Sequence, residues 1–305
     1  MVLIEISMKW TYKYLLFIST LLVMQFNQQL SGQELILYIV TPPAEISWES
    51  PRDLMRTTLF NQFRRSIRQT TYPLGHLYIG LIHEENGVEI WTGMTREHLN
   101  TAGQKVMREG YGMGILFADI EGRLQETEEI IQSIEKIEQF GESSFLRFAV
   151  SEETFLRLTD YLKEYTKRNY GDIYNGLNRP REGLGAGCAA FGESFLQLAG
   201  IPYEQWLSDW SAEIRIPENL AGGNRFKRHV TISRQLLTAK WASKDEPHYL
   251  FSVMDPFIMH HWVIEKWNDK PSDSSMQLDK KNNVKGIFMD FSHLMPPEEP
   301  IFMVR

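Results

Sequence analysis

Gly183-Leu184-Gly185-Ala186-Gly187-Cys188-Ala189-Ala190-Phe191 is the stretch on which the reading of this 305-residue chain turns. The glycine-rich half is a flexible loop. The run that follows, to Ala199, has helical composition and is closed by Gly200. Cys188 therefore stands where loop becomes helix. Backbone N–H groups at a helix start have no intrahelical partner, and the helix dipole favours a negative charge there, so a thiolate is stabilised. Ala189 and Ala190 leave room for a substrate carbonyl, and the N–H of Cys188 can serve an oxyanion. The chain has one cysteine, which excludes an internal disulfide and a multi-cysteine zinc site. A nucleophile so placed still needs a base.

The base is sought on a rigid element. Gly75-His76-Leu77-Tyr78-Ile79-Gly80-Leu81-Ile82 reads as a strand, and Asn86-Gly87 before Val88-Glu89-Ile90-Trp91 signals a hairpin. His76, at the opening of that strand, is the candidate general base and later acid. His83 sits at the far end, and His229, His248 and His293 lie in polar or loop contexts. His260-His261 are adjacent and point to different faces, so no close metal-binding pair is present. If Asn86-Gly87 forms a two-residue turn, Glu97 lies opposite His76 and becomes the candidate orienting residue. Thr95 and His98 are the alternatives on that strand. Tyr170 and Tyr174, ahead of the cysteine, have two readings: a hydroxyl near the oxyanion, or a ring packed on the core.

The order of His strand, Gly-rich loop and Cys helix resembles the circularly permuted papain-like cysteine hydrolases. That superfamily includes cell-wall amidases, deamidating or deubiquitinating peptidases and lecithin–retinol-type acyltransferases. The resemblance rests on Gly75–Ile79 and Gly187–Phe191 and covers roughly residues 72–200. It implies an α+β fold in which the helix bearing Cys188 packs on an antiparallel sheet bearing His76. It also implies a polar third residue on the strand after His76, and no cofactor. Trp206, Trp210, Trp241, Trp262 and Trp267 lie beyond the resemblance; they suggest an aromatic-rich C-terminal region packed onto the same core.

The rest of the chain sets the context. At 43% hydrophobic and 12% aromatic residues it can build a core. A net charge of −7 argues against nucleic acid as a partner. Lys9 and Lys13 precede an apolar run, Tyr14–Met24, of eleven residues. That is shorter than the roughly 20 needed to span a bilayer, and Ser31-Gly32 offers a cleavage point. Residues 1–32 are therefore expected to be a signal peptide, with no membrane span once it is removed. Residues 33–269 are expected to form the papain-like domain with its C-terminal elaboration, and the polar stretch from Lys270 a linker and tail to 305. The glycines at 110, 112 and 114 lack the Lys-Ser/Thr of a phosphate loop. The expected function is an exported thiol hydrolase, periplasmic or secreted, acting on an amide or ester in a peptide or related substrate. Cell-wall peptide is the natural candidate for an exported member. The alternatives are a non-catalytic binding or structural protein on the same shell, and a thiol acyltransferase, which requires an apolar groove beside Cys188.

Overall fold

A computed structural model describes residues 32–68, 72–98, 100–140, 142–269 and 273–303. All but the last residue of the expected signal peptide lies outside the described residues. In chain order the first half contains β1 (Gln33–Val40), α1 (Pro51–Arg68), β2 (His76–His83), β3 (Val88–Thr92), β4 (Met94–Arg96), α2 (Thr101–Arg108), β5 (Ile120–Leu124), α3 (Thr127–Phe140), β6 (Ser143–Ala149) and α4 (Glu152–Lys167). The second half adds β7 (Ile173–Tyr174), α5 (Cys188–Ala199), α6 (Glu204–Trp210), β8 (Ser211–Pro217), α7 (Ile232–Leu237), β9 (His248–Met254), α8 (Pro256–Asp269), β10 (Met276–Lys281) and β11 (Val284–Asp290).

The fold is mixed α+β. Its main sheet has six strands in the order β10-β11-β6-β1-β2-β3. β1 is apolar on both faces because it is central. Leu35, Leu37 and Ile39 point to one side and Ile36, Tyr38 and Val40 to the other. The first side is covered by α4, α5 and α8 through Phe155, Phe191, Phe195 and Trp262. The second is covered by α3 through Ile130 and Ile137. Removing that much apolar surface from water is the main stabilising contribution, at about 25 cal/mol per Å².

Two expectations need correction. The sheet is mixed, not purely antiparallel: β11 runs parallel to β6. A parallel partner needs a long crossover, and the chain from α4 to α8 supplies it. The stretch expected to be linker and tail is also structured. β10 and β11 form a hairpin that completes the sheet edge. β10 reads as polar because it is an edge strand with mostly exposed side chains. The last residues then fold back on the body. Arg181, itself buried, donates to the Glu299 carboxylate at 2.6 Å and to the carbonyl of Pro300 at 2.7 Å. Phe302 packs among Tyr161, Tyr165 and Tyr170.

Two smaller sheets complete the molecule. β8 pairs with β9, and their inner face joins α1 in a second apolar cluster with Ile46, Leu54, Met113 and Phe251. β4, β5 and β7 form a three-stranded sheet at the end of β2 where His76 sits. The C-terminal tryptophans divide between these cores: Trp206, Trp210 and Trp262 belong to the main one, and Trp241 packs on the second.

Candidate active site

Cys188 is the first residue of α5, with Gly187 as its N-cap. The helix is pressed hard onto β2. At Gly192, one turn along, an added Cβ would come within 2.4 Å of the end of the Leu77 side chain, so the glycine lets Leu77 pack against the helix. The thiol is buried against the backbone N–H of Leu77, the residue after His76, and near its own N–H and that of Ala189. Cys188 and His76 thus stand on the wall of one cavity.

The small sheet holds His76 from behind and adds polar side chains to the wall. Gln125, just past the end of β5, accepts at Oε1 from His76 Nε2 at 2.8 Å. The orientation of its carboxamide is fixed by the other end, where Nε2 donates to the Tyr72 hydroxyl at 2.8 Å and to Glu129 at 3.1 Å. Glu129 in turn receives both arms of Arg123, at 2.7 and 2.8 Å. With Nε2 committed as a donor, Nδ1 is the imidazole nitrogen free to take a proton. The Tyr72 ring stacks on the imidazole at 3.9 Å between centroids, which locks its plane. Gly93 makes room for the pair: a Cβ there would lie 3.2 Å from Gln125 Oε1 and 3.4 Å from His76 Nε2.

Tyr174, on β7, points its hydroxyl to Cys188 Sγ at 3.9 Å and lies beside the Cys188 N–H. Burial holds this phenol well above its ordinary range, so it remains a donor. Of the two tyrosines weighed, Tyr170 packs instead with Tyr165 and Phe302. Thr95 and Arg96, on β4, line the same cavity. Among the described residues Arg96 has no carboxylate within ion-pair distance. Its charge opposes protonation of His76 and favours negative charge at Tyr174.

Glu97 stands elsewhere. Its half-exposed carboxylate faces Arg123 at 3.6 Å and makes no contact with His76. The hairpin turn has four residues, Glu84–Gly87, and His83 pairs with Val88. β3 ends at Thr92, and the chain then leaves for the small sheet, so the strand opposite His76 no longer exists where Glu97 was expected. His98 is exposed and near Glu121. The residue that hydrogen-bonds His76 is Gln125, which sequence reasoning missed. It is an uncharged side chain between β5 and α3 with no motif around it, and only the pairing of β4 with β5 brings it back.

No protein-family model matches the chain, and no curated protein or solved structure is significantly similar to it. The site is therefore read from its own geometry.

Two opposing effects act on Cys188. The helix N-terminus and the surrounding donors favour a thiolate, by about 0.3–1 kcal/mol for the dipole. Burial disfavours it by up to several pKa units. Burial wins, and the thiol is pushed up. Burial likewise pushes the His76 imidazole down to about 3, against the Gln125 hydrogen bond. At rest the cavity wall carries a neutral thiol and a neutral imidazole, where a helix-start cysteine alone suggested a thiolate.

The cavity behind the pair has a volume of about 300 Å³. It runs between α1, α2 and β9, and its walls are mostly apolar, with Leu54, Met55, Val106, Met113 and Val253 among them. Among the described residues no group of three or more His, Cys, Asp or Glu side chains is placed to hold a metal ion. None of the described helices is long and apolar enough to cross a membrane.

Proposed function

We propose that this protein is a papain-like, cysteine-dependent acyl-transfer enzyme that attacks the carbonyl of an ester or amide bearing an apolar group. The observation that carries the reading is the shared cavity wall. Cys188 opens α5 there, and His76 opens β2 with its Nε2 tied to Gln125. His76 Nδ1 takes the thiol proton as Sγ bonds to the carbonyl carbon. The imidazolium so formed lies beside new negative charge, which restores its basicity in that buried setting. The oxyanion is met by the Cys188 N–H and the Tyr174 hydroxyl. The C–O or C–N bond breaks as His76 returns the proton to the leaving alcohol or amine. A thioester on Cys188 remains, and water or another acceptor, deprotonated by His76, releases the acyl group.

The apolar lining supports an acyl chain or similar group over the charged peptides of a cell wall. Export belongs to the same reading, supported by the run Tyr14–Met24 behind Lys9 and Lys13. N-terminal sequencing of the secreted form, with Gln33 as first residue, tests that part. The reaction is tested by incubating the protein with short- and long-chain thioesters, esters and amides, then measuring intact mass. An acyl adduct on Cys188 that is absent from Cys188→Ala and His76→Ala is expected. A second reading, a non-catalytic carrier of an apolar ligand, is favoured by the burial that keeps both groups neutral. A carrier binds the same chains and shows no adduct.

A further inference from the structure

The surface around the cavity mouth carries large apolar side chains. Leu59 on α1, Leu74 ahead of β2 and Met107 on α2 line the cavity and are also exposed. Phe63, one turn beyond Leu59, is 69% exposed, and Phe60 is 48% exposed. A single exposed apolar residue is ordinary. A cluster at the opening of an apolar cavity marks an interaction site.

The charge along α1 beyond Asp53 has one sign. The described side chains there include Arg56 and Arg64 and no carboxylate, although the chain as a whole has a net charge of −7. The Arg64 guanidinium lies 4.6 Å over the Phe60 ring. Arg56 stands one turn before Phe60, and Arg108 follows Met107 at the end of α2. Among the described residues, Arg56, Arg64 and Arg108 have no carboxylate within ion-pair distance. Exposed phenylalanines beside unpaired arginines on one helix match the interface of an anionic bilayer, where rings enter the headgroup layer and guanidiniums meet phosphates.

We propose that this face docks onto an anionic lipid bilayer, with Phe60 and Phe63 entering the interface and Arg56 and Arg64 on the phosphates. Docking sets the mouth between Leu59, Leu74 and Met107 against the acyl layer, so that a chain passes from the bilayer into the cavity. The docking stands on the surface alone; only the fate of the chain rests on the acyl-transfer reading.

The test is co-sedimentation of the full chain with vesicles containing phosphatidylglycerol and with vesicles of phosphatidylcholine alone. Binding to the anionic vesicles, weakened by salt, is expected. Arg56→Gln/Arg64→Gln should lower that partition by on the order of thirtyfold, from the loss of two cationic contacts. Phe60→Ser/Phe63→Ser should lower it on both lipids. Both pairs should keep the wild-type circular dichroism and the wild-type acylation by a short, water-soluble acetyl thioester. Cys188→Ser should bind vesicles as the wild type does. No vesicle binding, or equal binding by wild type and the arginine pair, overturns the proposal. So does a phenylalanine pair that only dissolves a dimer. Docking that survives while no acyl donor modifies Cys188 leaves this proposal standing and removes the acyl-transfer reading.

Discussion

The two walls of the cavity differ in how they are made. The polar wall, with Cys188, His76, Arg96 and Tyr174, is backed at His76 by a hydrogen-bonded relay from Arg123 through Glu129 and Gln125, set on strand ends and one helix start. The apolar wall is a patchwork of side chains from α1, α2 and β9, such as Leu54, Val106 and Val253. The first should tolerate almost no change in chemistry. The second should tolerate many changes in chemistry and few in volume. On the proposed acyl-transfer reading, the reaction belongs to the first wall and the choice of substrate to the second.

The sharpest way to break that division is at the nucleophile. Cys188→Ala should lower turnover by on the order of 10⁴-fold or more while chain binding in the cavity is kept, as measured by displacement of a fluorescent fatty acid. Loss of binding as well would show that the walls do not divide the work. Next comes the relay. Gln125→Ala should cost on the order of 10²-fold in kcat, with KM little changed. Gln125→Glu should instead raise the His76 pKa, because a carboxylate favours imidazolium. Its kcat/KM profile should then gain an acid limb at higher pH than wild type. A merely structural role for Gln125 would move neither profile, and Glu97→Gln serves as the control expected to change nothing.

On the apolar wall, Val106→Trp should act by volume. Displacing about two methylenes of chain costs about 1.6 kcal/mol, or on the order of tenfold in kcat/KM for a long-chain substrate. An acetyl substrate should be unaffected, and equal losses on both would sink the assignment of substrate choice to this wall. A further effect, away from catalysis, is on stability. The folded-state pKa of His76 is depressed to about 3, against about 6.5 in the unfolded chain. Between those values the unfolded state binds the extra proton. The contribution of the neutral imidazole is therefore fully present above about pH 6.5 and falls by about 1.4 kcal/mol per pH unit below it. Urea unfolding at pH 7 and pH 5 should show the loss, and His76→Gln should flatten it.

The same division explains what could be read in advance. Cys188 and His76 announce themselves locally, one by a Gly-rich loop before a helix and the other by the first position of an apolar strand. The end of α5 at Gly200 and the central strand β1 were equally legible, for the same reason. Gln125 was not, because its role depends on a turn of four residues instead of two and on a strand that changes sheets after Thr92. β10 read as linker because an edge strand exposes its polar side chains and hides its pairing. The apolar wall was illegible because Leu54, Val106 and Val253 are far apart in sequence, and each looks like ordinary core. The mixed sheet followed from β11, whose parallel partner lies beyond a crossover that no local pattern describes.

The central claim is that a buried, neutral Cys188–His76 pair forms an acyl-enzyme with an apolar chain in the cavity. Pre-steady-state release of p-nitrophenol from a long-chain p-nitrophenyl ester tests it most directly. A burst stoichiometric with Cys188, lost in His76→Ala and retained down to about pH 5 because His76 is still neutral there, is the expected result. No burst, or one that His76→Ala leaves intact, would contradict the account.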